Sequence, residues 1–155
     1  MKLMFKQRLF SWLDSYDIYD ENGNTVYTVR GKLAWGHKLE VYNRNDNYMA
    51  TLNEHIMSFL PRYDIQMNGQ TMGNIRKEFT FFKPSFSVDC NGWRVEGSFL
   101  EWDYSILSAT GKTVAIIEKQ LFRLTDTYII DVMEEQNSLL ALMVVLAIDA
   151  AKCNN

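Results

Sequence analysis

The sequence has little cysteine and little proline. Two cysteines, Cys90 and Cys153, stand in 155 residues, with no CxxC pair and no disulfide framework, which is typical of a reducing compartment. Two prolines and no Gly/Ser-rich stretch leave no visible linker, so residues 1–155 are predicted to form one domain. The N-terminus lacks the uncharged apolar stretch of a signal peptide. We therefore expect a single-domain cytoplasmic protein.

Strong charge and recognisable catalytic sets are also absent. The net charge is −3, which argues against a general nucleic-acid binder. The two histidines, His37 and His55, have no partners at metal-ligand spacing, so we interpret them as surface or loop residues. Gly111-Lys112-Thr113 lacks the first glycine and the following helix of a P-loop, and we interpret it as a hairpin turn. No catalytic residue, metal ligand or cofactor is predicted.

The feature that stands out is a C-terminal run of ten consecutive apolar residues, 139–148. Leu, Ala and Met dominate it, and they favour a helix, which we predict over residues 136–153. A helix that is apolar on every side must be surrounded by other parts of the protein. The run is shorter than the ~20 apolar residues of a membrane span, and Asp149 interrupts it. A membrane tail anchor is the alternative.

A hairpin-sized unit recurs through the rest of the chain. Each copy has an aromatic residue or leucine, a polar residue, a β-branched residue and then a turn rich in Asn and Gly, which indicates a β-hairpin. The β-branched positions lie 23, 24, 23 and 18 residues apart: Ile18, Val41, Ile65, Val88 and Ile106. Five hairpins supply ten strands, and segments 2–10 and 125–132 bring the count to twelve. A basic amphipathic helix on a membrane surface is the alternative for residues 2–10.

Twelve strands and one apolar helix fit together in one architecture. An open sheet of twelve strands would curl, and closure into a barrel removes the exposed edges. About eight strands already fill their interior with side chains, so twelve leave more room. A helix ~10–12 Å across can occupy that room. We predict a mainly β fold, a closed twelve-stranded antiparallel barrel around a buried C-terminal helix.

Several segments, taken in order, resemble the LURP-one-related family of the tubby C-terminal-like group. They are Tyr16-Asp17-Ile18-Tyr19-Asp20-Glu21-Asn22-Gly23, Pro61-Arg62-Tyr63-Asp64-Ile65, Arg76-Lys77-Glu78-Phe79-Thr80-Phe81-Phe82-Lys83 and Leu146-Ala147-Ile148-Asp149-Ala150-Ala151. The resemblance covers nearly the whole chain and implies a twelve-stranded barrel around a central C-terminal helix. The wider group includes phosphoinositide-binding tubby domains and phospholipid scramblases, and plant members of the family are linked to defence. No headgroup-binding residue of tubby can be carried over to a position of this chain.

Two sets of residues are candidates for a site. Arg76, Lys77 and Lys83 flank Phe79, Phe81 and Phe82, and basic groups among aromatics suit an anionic headgroup at a membrane interface. The alternative is a strand pair with its aromatics inward and its basic groups in water. In a lipid binder we expect Lys2, Lys6 and Arg8 to join this basic face. Asp149, late in an apolar helix, is predicted to be a structural polar tether that accepts a hydrogen bond, and Cys90 is predicted to be inert core.

Three functions are compatible with these features. The leading hypothesis is a non-enzymatic binding module whose partner is a membrane phospholipid headgroup or a protein, with peripheral membrane contact and no transmembrane span. The second is a protein-interaction or structural protein with no small ligand, which would show an exposed apolar patch. The third and least favoured is an enzyme, because no nucleophile–base pair or metal set is visible.

Overall fold

A computed structural model describes residues 1–6, 15–79, 85–89, 91–99, 101–120 and 127–153. Within these ranges the chain forms twelve antiparallel strands and one α-helix in sequence order. The strands are β1 (Lys2–Lys6), β2 (Ser15–Tyr19), β3 (Thr25–Lys32), β4 (Lys38–Asn43), β5 (Tyr48–Glu54), β6 (Arg62–Met67), β7 (Gln70–Glu78), β8 (Ser85–Val88), β9 (Trp93–Ser98), β10 (Asp103–Leu107), β11 (Thr113–Gln120) and β12 (Thr127–Val132). Each strand pairs with the next, and β1 pairs with β12. The predicted closed barrel is confirmed.

The recurring β-branched residues of the sequence all point into the barrel. Ile18, Val41, Ile65, Val88 and Ile106 are each at most 1% exposed. A shift in strand register follows four of them directly, all except Val88. Such bulges increase the local twist of a strand pair, so the repeat places the same bend at corresponding points around the wall.

Three hairpins share one five-residue turn, at residues 20–24, 43–47 and 108–112. In each turn the first residue's N–H donates to the fifth residue's carbonyl at 2.8–2.9 Å, and its side-chain oxygen accepts the fifth residue's N–H at 2.9–3.1 Å. The fourth residue has a positive φ. Among the hairpins within the described ranges, only Asn68-Gly69 has positive φ at two consecutive residues. The hairpins were predicted correctly, and at Asn22-Gly23 and Asn91-Gly92 only the glycine has a positive φ.

The α-helix α1 (Ser138–Cys153) runs through the barrel. It begins two residues later than predicted, because Glu135–Asn137 forms a separate 3-10 turn. Residues 141–148 are all buried, and the buried Ser138 hydroxyl shares a 2.8 Å hydrogen bond with the Tyr27 hydroxyl of β3. The tail-anchor alternative is therefore wrong. The helical alternative for the N-terminus is also wrong for residues 2–6, while residues 7–10 lie outside the described ranges.

The two ends of the barrel differ in their connections. The tight turns between β2 and β3, β4 and β5, β6 and β7, β8 and β9, and β10 and β11 lie towards one end, which we call the hairpin end. The connections that leave β3, β5, β7, β9 and β11 lie towards the other, the loop end. The helix starts after β12 at the hairpin end, so Asp149 and Lys152 lie at the loop end.

Gly97 provides a test of how closely β9 and β10 approach. Its φ is +132°, and an added Cβ would lie 2.6 Å from both the Asp103 carbonyl oxygen and the Tyr104 Cα. We expect Gly97→Ala to lower the free energy of unfolding by roughly 3 kcal/mol or more, because strain and a backbone clash add. Gly23→Ala is the matched control, since Gly23 also has a positive φ but open space around it, and should cost about 1–2 kcal/mol. Equal urea midpoints for the two variants would contradict this packing.

Candidate functional site

Six large apolar side chains are exposed on neighbouring connections at the loop end. We call them the apolar rim, and their exposed fractions run from 55 to 96%. They are Leu33, Trp35, Ile56, Met57, Phe59 and Phe79. Large apolar side chains that cluster in water mark interaction sites more often than folding cores. The apolar rim is therefore the first candidate for a functional surface.

Hydrogen bonds hold the connections of the apolar rim side by side. Glu54 N–H donates to the His37 carbonyl at 2.8 Å, and the Glu54 carboxylate accepts the His37 N–H at 2.8 Å and lies 2.6 Å from His37 Nδ1. The Lys77 N–H donates to the Pro61 carbonyl at 2.9 Å. The connections after β3 and β5 and the end of β7 thus form one continuous surface.

Both histidines lie within this surface, in loops as predicted. Burial lowers the pKa of His37, and the neighbouring Glu54 carboxylate acts in the opposite direction. His55 Nε2 lies 2.6 Å from an Asp64 carboxylate oxygen. Each histidine therefore faces one carboxylate, and the described part of the chain contains no group of three His, Cys, Asp or Glu side chains that could hold a metal.

Positive charge accompanies the apolar rim. Segments 32–38, 54–62 and 76–79 contain five basic side chains, Lys32, Lys38, Arg62, Arg76 and Lys77, against the acidic Glu54 and Glu78. The opposite balance holds at the hairpin end, where segments 20–24, 43–47, 108–112 and 133–137 contain five acidic side chains and two basic ones. Although the whole chain has a net charge of −3, these three segments together have a net charge of +3 (five basic minus two acidic side chains), and Glu40 of β4 pairs with Lys32 at 3.6 Å.

The predicted basic site is only partly assembled. Arg76 and Lys77 lie in β7 beside the apolar rim, while Lys83 lies outside the described residues, as do Phe81, Phe82, Arg8 and Cys90. Lys2 and Lys6 do not join them, because β1 and β7 stand on opposite walls of the barrel. The expectation that Lys2 and Lys6 share one basic face with Arg76 and Lys77 is therefore wrong. Phe79 is 69% exposed, so it does not point inward as the alternative of a simple strand pair required.

Aromatic rings line the inside of the loop end. Ring centroids lie 4.0–6.3 Å apart along a chain of contacts: Phe86, Phe99, Tyr104, Trp102, Tyr128 and Phe5. The Lys152 ammonium of α1 lies 4.0 Å from the centroid of the Trp102 ring. The Lys119 ammonium lies 5.9 Å from the centroid of the Tyr128 ring, so rings and two cations surround the end of the helix.

Asp149 faces this aromatic lining and is largely buried. Burial raises its pKa to about 6, and the Lys152 ammonium opposes that change. Burial, and after it the Asp149 charge, raises the pKa of the Tyr16 and Tyr104 hydroxyls. No hydrogen bond joins Asp149 to another residue of the described ranges, so its role as a polar tether stays a prediction.

The raised pKa of Asp149 gives a test of stability against pH. Because the folded pKa of about 6 lies above that of the unfolded chain, folding favours the protonated acid. The free-energy cost of ionising Asp149 in the folded chain is absent below the pKa of the unfolded chain. It reaches its full size once the pH has risen above the folded pKa of about 6. Asp149→Asn should therefore raise the free energy of unfolding by roughly 2–3 kcal/mol at pH 8 and by much less near pH 4.5.

Urea unfolding across that pH range measures the effect. Glu21→Gln removes one negative charge at an exposed hairpin position and is the matched control. If the stability of Asp149→Asn and of the unmodified chain changed in parallel with pH, Asp149 would not be the group responsible.

Gly111-Lys112-Thr113 has the expected structure of a turn. The Gly111 N–H donates to the Ser108 carbonyl at 2.9 Å with a φ of +86°, and strand β11 follows instead of a helix. The apolar rim itself was missed from the sequence. The signal that could have found it is Ile56-Met57-Ser58-Phe59-Leu60, an apolar-rich segment between two predicted strands whose alternation does not continue either of them.

No helix in the described parts of the chain is both long and apolar enough to cross a membrane.

The comparisons with known proteins agree on one family and one fold. A sequence profile described as LURP-one-related matches residues 1–149. The uncharacterised protein YxjI of Bacillus subtilis is 24% identical over 156 residues, covering all of this chain and 96% of YxjI. A crystal structure of a protein from Arabidopsis thaliana superposes with a TM-score of 0.63 at 14% identity, covering 96% of this chain and 91% of that one. That last similarity concerns the fold alone.

Proposed function

This chain belongs to the LURP-one-related family, and from that premise we propose that it is a non-enzymatic module that docks on an anionic membrane surface. The apolar rim enters the membrane interface, and the basic side chains beside it, including Arg76 and Lys77, meet phospholipid headgroups. The observation that carries the proposal is the exposure of six large apolar side chains on adjoining connections, in segments that contain more basic than acidic side chains. In this proposal the protein is cytoplasmic and associates with the membrane reversibly.

Membrane association needs the free energy of both the apolar rim and the basic side chains beside it. Full transfer of a Phe, Leu or Met side chain out of water is worth roughly 1.5–3 kcal/mol, but loop side chains at an interface are transferred only in part. Each Lys or Arg near an anionic surface adds about 1 kcal/mol. Stable membrane association generally takes two such signals together, and this barrel end supplies both.

Charge also sets the orientation of the docked barrel. The acidic side chains of the hairpin end would be repelled by anionic lipid, whereas the segments of the apolar rim carry an excess of basic ones. The barrel axis therefore points the loop end at the membrane and keeps the tight turns in the aqueous phase.

A protein partner is the second candidate. An exposed apolar patch is also typical of protein interfaces, and the rim satisfies that criterion. The membrane is favoured because the apolar side chains stand on separate connections with basic residues between them, and interfacial Trp, Phe and Leu beside Lys and Arg is the composition of lipid-binding surfaces.

Co-sedimentation with vesicles tests the proposal. We expect binding to anionic vesicles that weakens as salt rises towards physiological strength, and little binding to neutral vesicles. Trp35→Ser/Phe59→Ser should reduce the partition coefficient at least tenfold, because two exposed rings no longer enter the interface. Arg76→Gln/Lys77→Gln should reduce it by a similar factor at low salt only.

Met72→Ser/Met133→Ser is the control, because these two apolar side chains are also exposed, at 52% and 46%, but lie towards the hairpin end. It should bind as the unmodified chain does. Vesicle binding that the rim substitutions leave unchanged, or the absence of any binding, would contradict the proposal and direct attention to a protein partner.

A further inference from the structure

Two arginines face each other directly on the outer wall beneath the apolar rim. Arg62 of β6 and Arg76 of β7 are register partners. Each is adjacent in its strand to a fully buried residue that points inward, Tyr63 beside Arg62 and Ile75 beside Arg76. Both side chains therefore point outward on the same face. Like charges directly opposite each other across two strands are destabilising.

The strand geometry brings the two side chains as close as a sheet allows. The Lys77 N–H donates to the Pro61 carbonyl at 2.9 Å, which makes Arg62 and Arg76 a non-hydrogen-bonded pair. In such pairs the facing Cβ atoms lie about 4.5–5.5 Å apart, closer than in the hydrogen-bonded kind. Both guanidinium groups can therefore reach a single small ligand.

The nearby carboxylates neutralise this pair only in part. Asp64 lies 2.6 Å from His55 Nε2, and Glu78 accepts a hydrogen bond from Ser87. Asp89 accepts the Asn74 N–H at 2.7 Å, and its other carboxylate oxygen forms a long ion pair of 3.8 Å with Arg76. Where the structure describes the chain, Arg62 has no ion pair, and its Nε is buried without a hydrogen-bond partner.

We propose that Arg62 and Arg76 form a binding site for a phosphate monoester dianion. A tetrahedral anion between two guanidinium groups accepts several charge-assisted hydrogen bonds and removes the repulsion across β6 and β7. Two positive charges match the monoester dianion better than the single charge of a diester. Arg62 was not among the candidate site residues named from the sequence.

The position of the pair suggests the source of the phosphate. Phe59 precedes Arg62 by three residues and Phe79 follows Arg76 by three, so the pair lies just behind the side chains that would enter the interface. A monoester headgroup such as that of phosphatidic acid would reach it there. This choice of a lipid source rests on the proposed membrane docking, whereas the anion site itself does not.

Thermal unfolding with soluble glycerol phosphate tests the anion site alone. At a concentration about ten to a hundred times the dissociation constant we expect Tm to rise by roughly 3–10 °C. Arg62→Gln should abolish most of that rise. In the absence of any multivalent anion the same substitution should leave Tm unchanged or higher, because it relieves the repulsion.

Arg94→Gln is the matched control, because Arg94 lies on the same outer wall with its Nε 3.0 Å from Glu96. It should retain the full response to glycerol phosphate, and Arg62→Lys should retain a reduced one. A response that Arg62→Gln keeps in full would overturn the site, whatever the Tm of that variant in anion-free buffer.

Vesicles of equal surface charge then separate the two sources of phosphate. Phosphatidic acid should bind the chain at least fivefold more tightly than phosphatidylglycerol, and Arg62→Gln should remove the difference. If glycerol phosphate stabilises the chain but no vesicle binds, the anion site stands and the membrane function fails. If vesicles bind through the apolar rim while glycerol phosphate has no effect and Arg62→Gln changes nothing, the membrane function stands and the anion site is overturned.

Discussion

Burial of an α-helix that has no polar face is the constraint on which this structure depends. Residues 141–148 are apolar on every side and all are buried, so the helix needs partners in every direction perpendicular to its axis. A closed sheet provides them, and it leaves no strand edge exposed. The hairpin repeat supplies the wall in units that bend at corresponding positions, and the Ser138–Tyr27 hydrogen bond joins the start of the helix to β3.

The same constraint leaves different kinds of connection at the two ends of the barrel. Tight turns suffice at the hairpin end, and three of them are the same hydrogen-bonded structure. The connections at the loop end are free of that restriction, and they contain the apolar rim and the excess of basic side chains. The helix end contributes Asp149 and Lys152 to the aromatic lining below. The proposed docking surface thus lies where the fold places the fewest restrictions on the sequence.

Sequence patterns predicted the wall and the helix because each depends on local periodicity. The spacing of Ile18, Val41, Ile65, Val88 and Ile106 identified five strands, and these five side chains all point into the barrel. The apolar run at residues 139–148 identified the helix. The surface could not be predicted in the same way. Lys2 and Lys6 were placed with Arg76 because all are basic, and only the strand order shows that β1 and β7 stand opposite each other. Likewise the pairing of Arg62 with Arg76 is a matter of register, which no local pattern around either residue reveals.

The central claim is that the loop end faces the membrane, and hydrogen–deuterium exchange of the vesicle-bound chain tests it most directly. Binding to anionic vesicles should slow amide exchange in residues 33–36 and 55–60, because the interface excludes water there. Exchange in the turns at residues 20–24, 43–47 and 108–112 should not change. Slower exchange in those turns with none at the apolar rim would contradict the account, because it would place the hairpin end against the lipid.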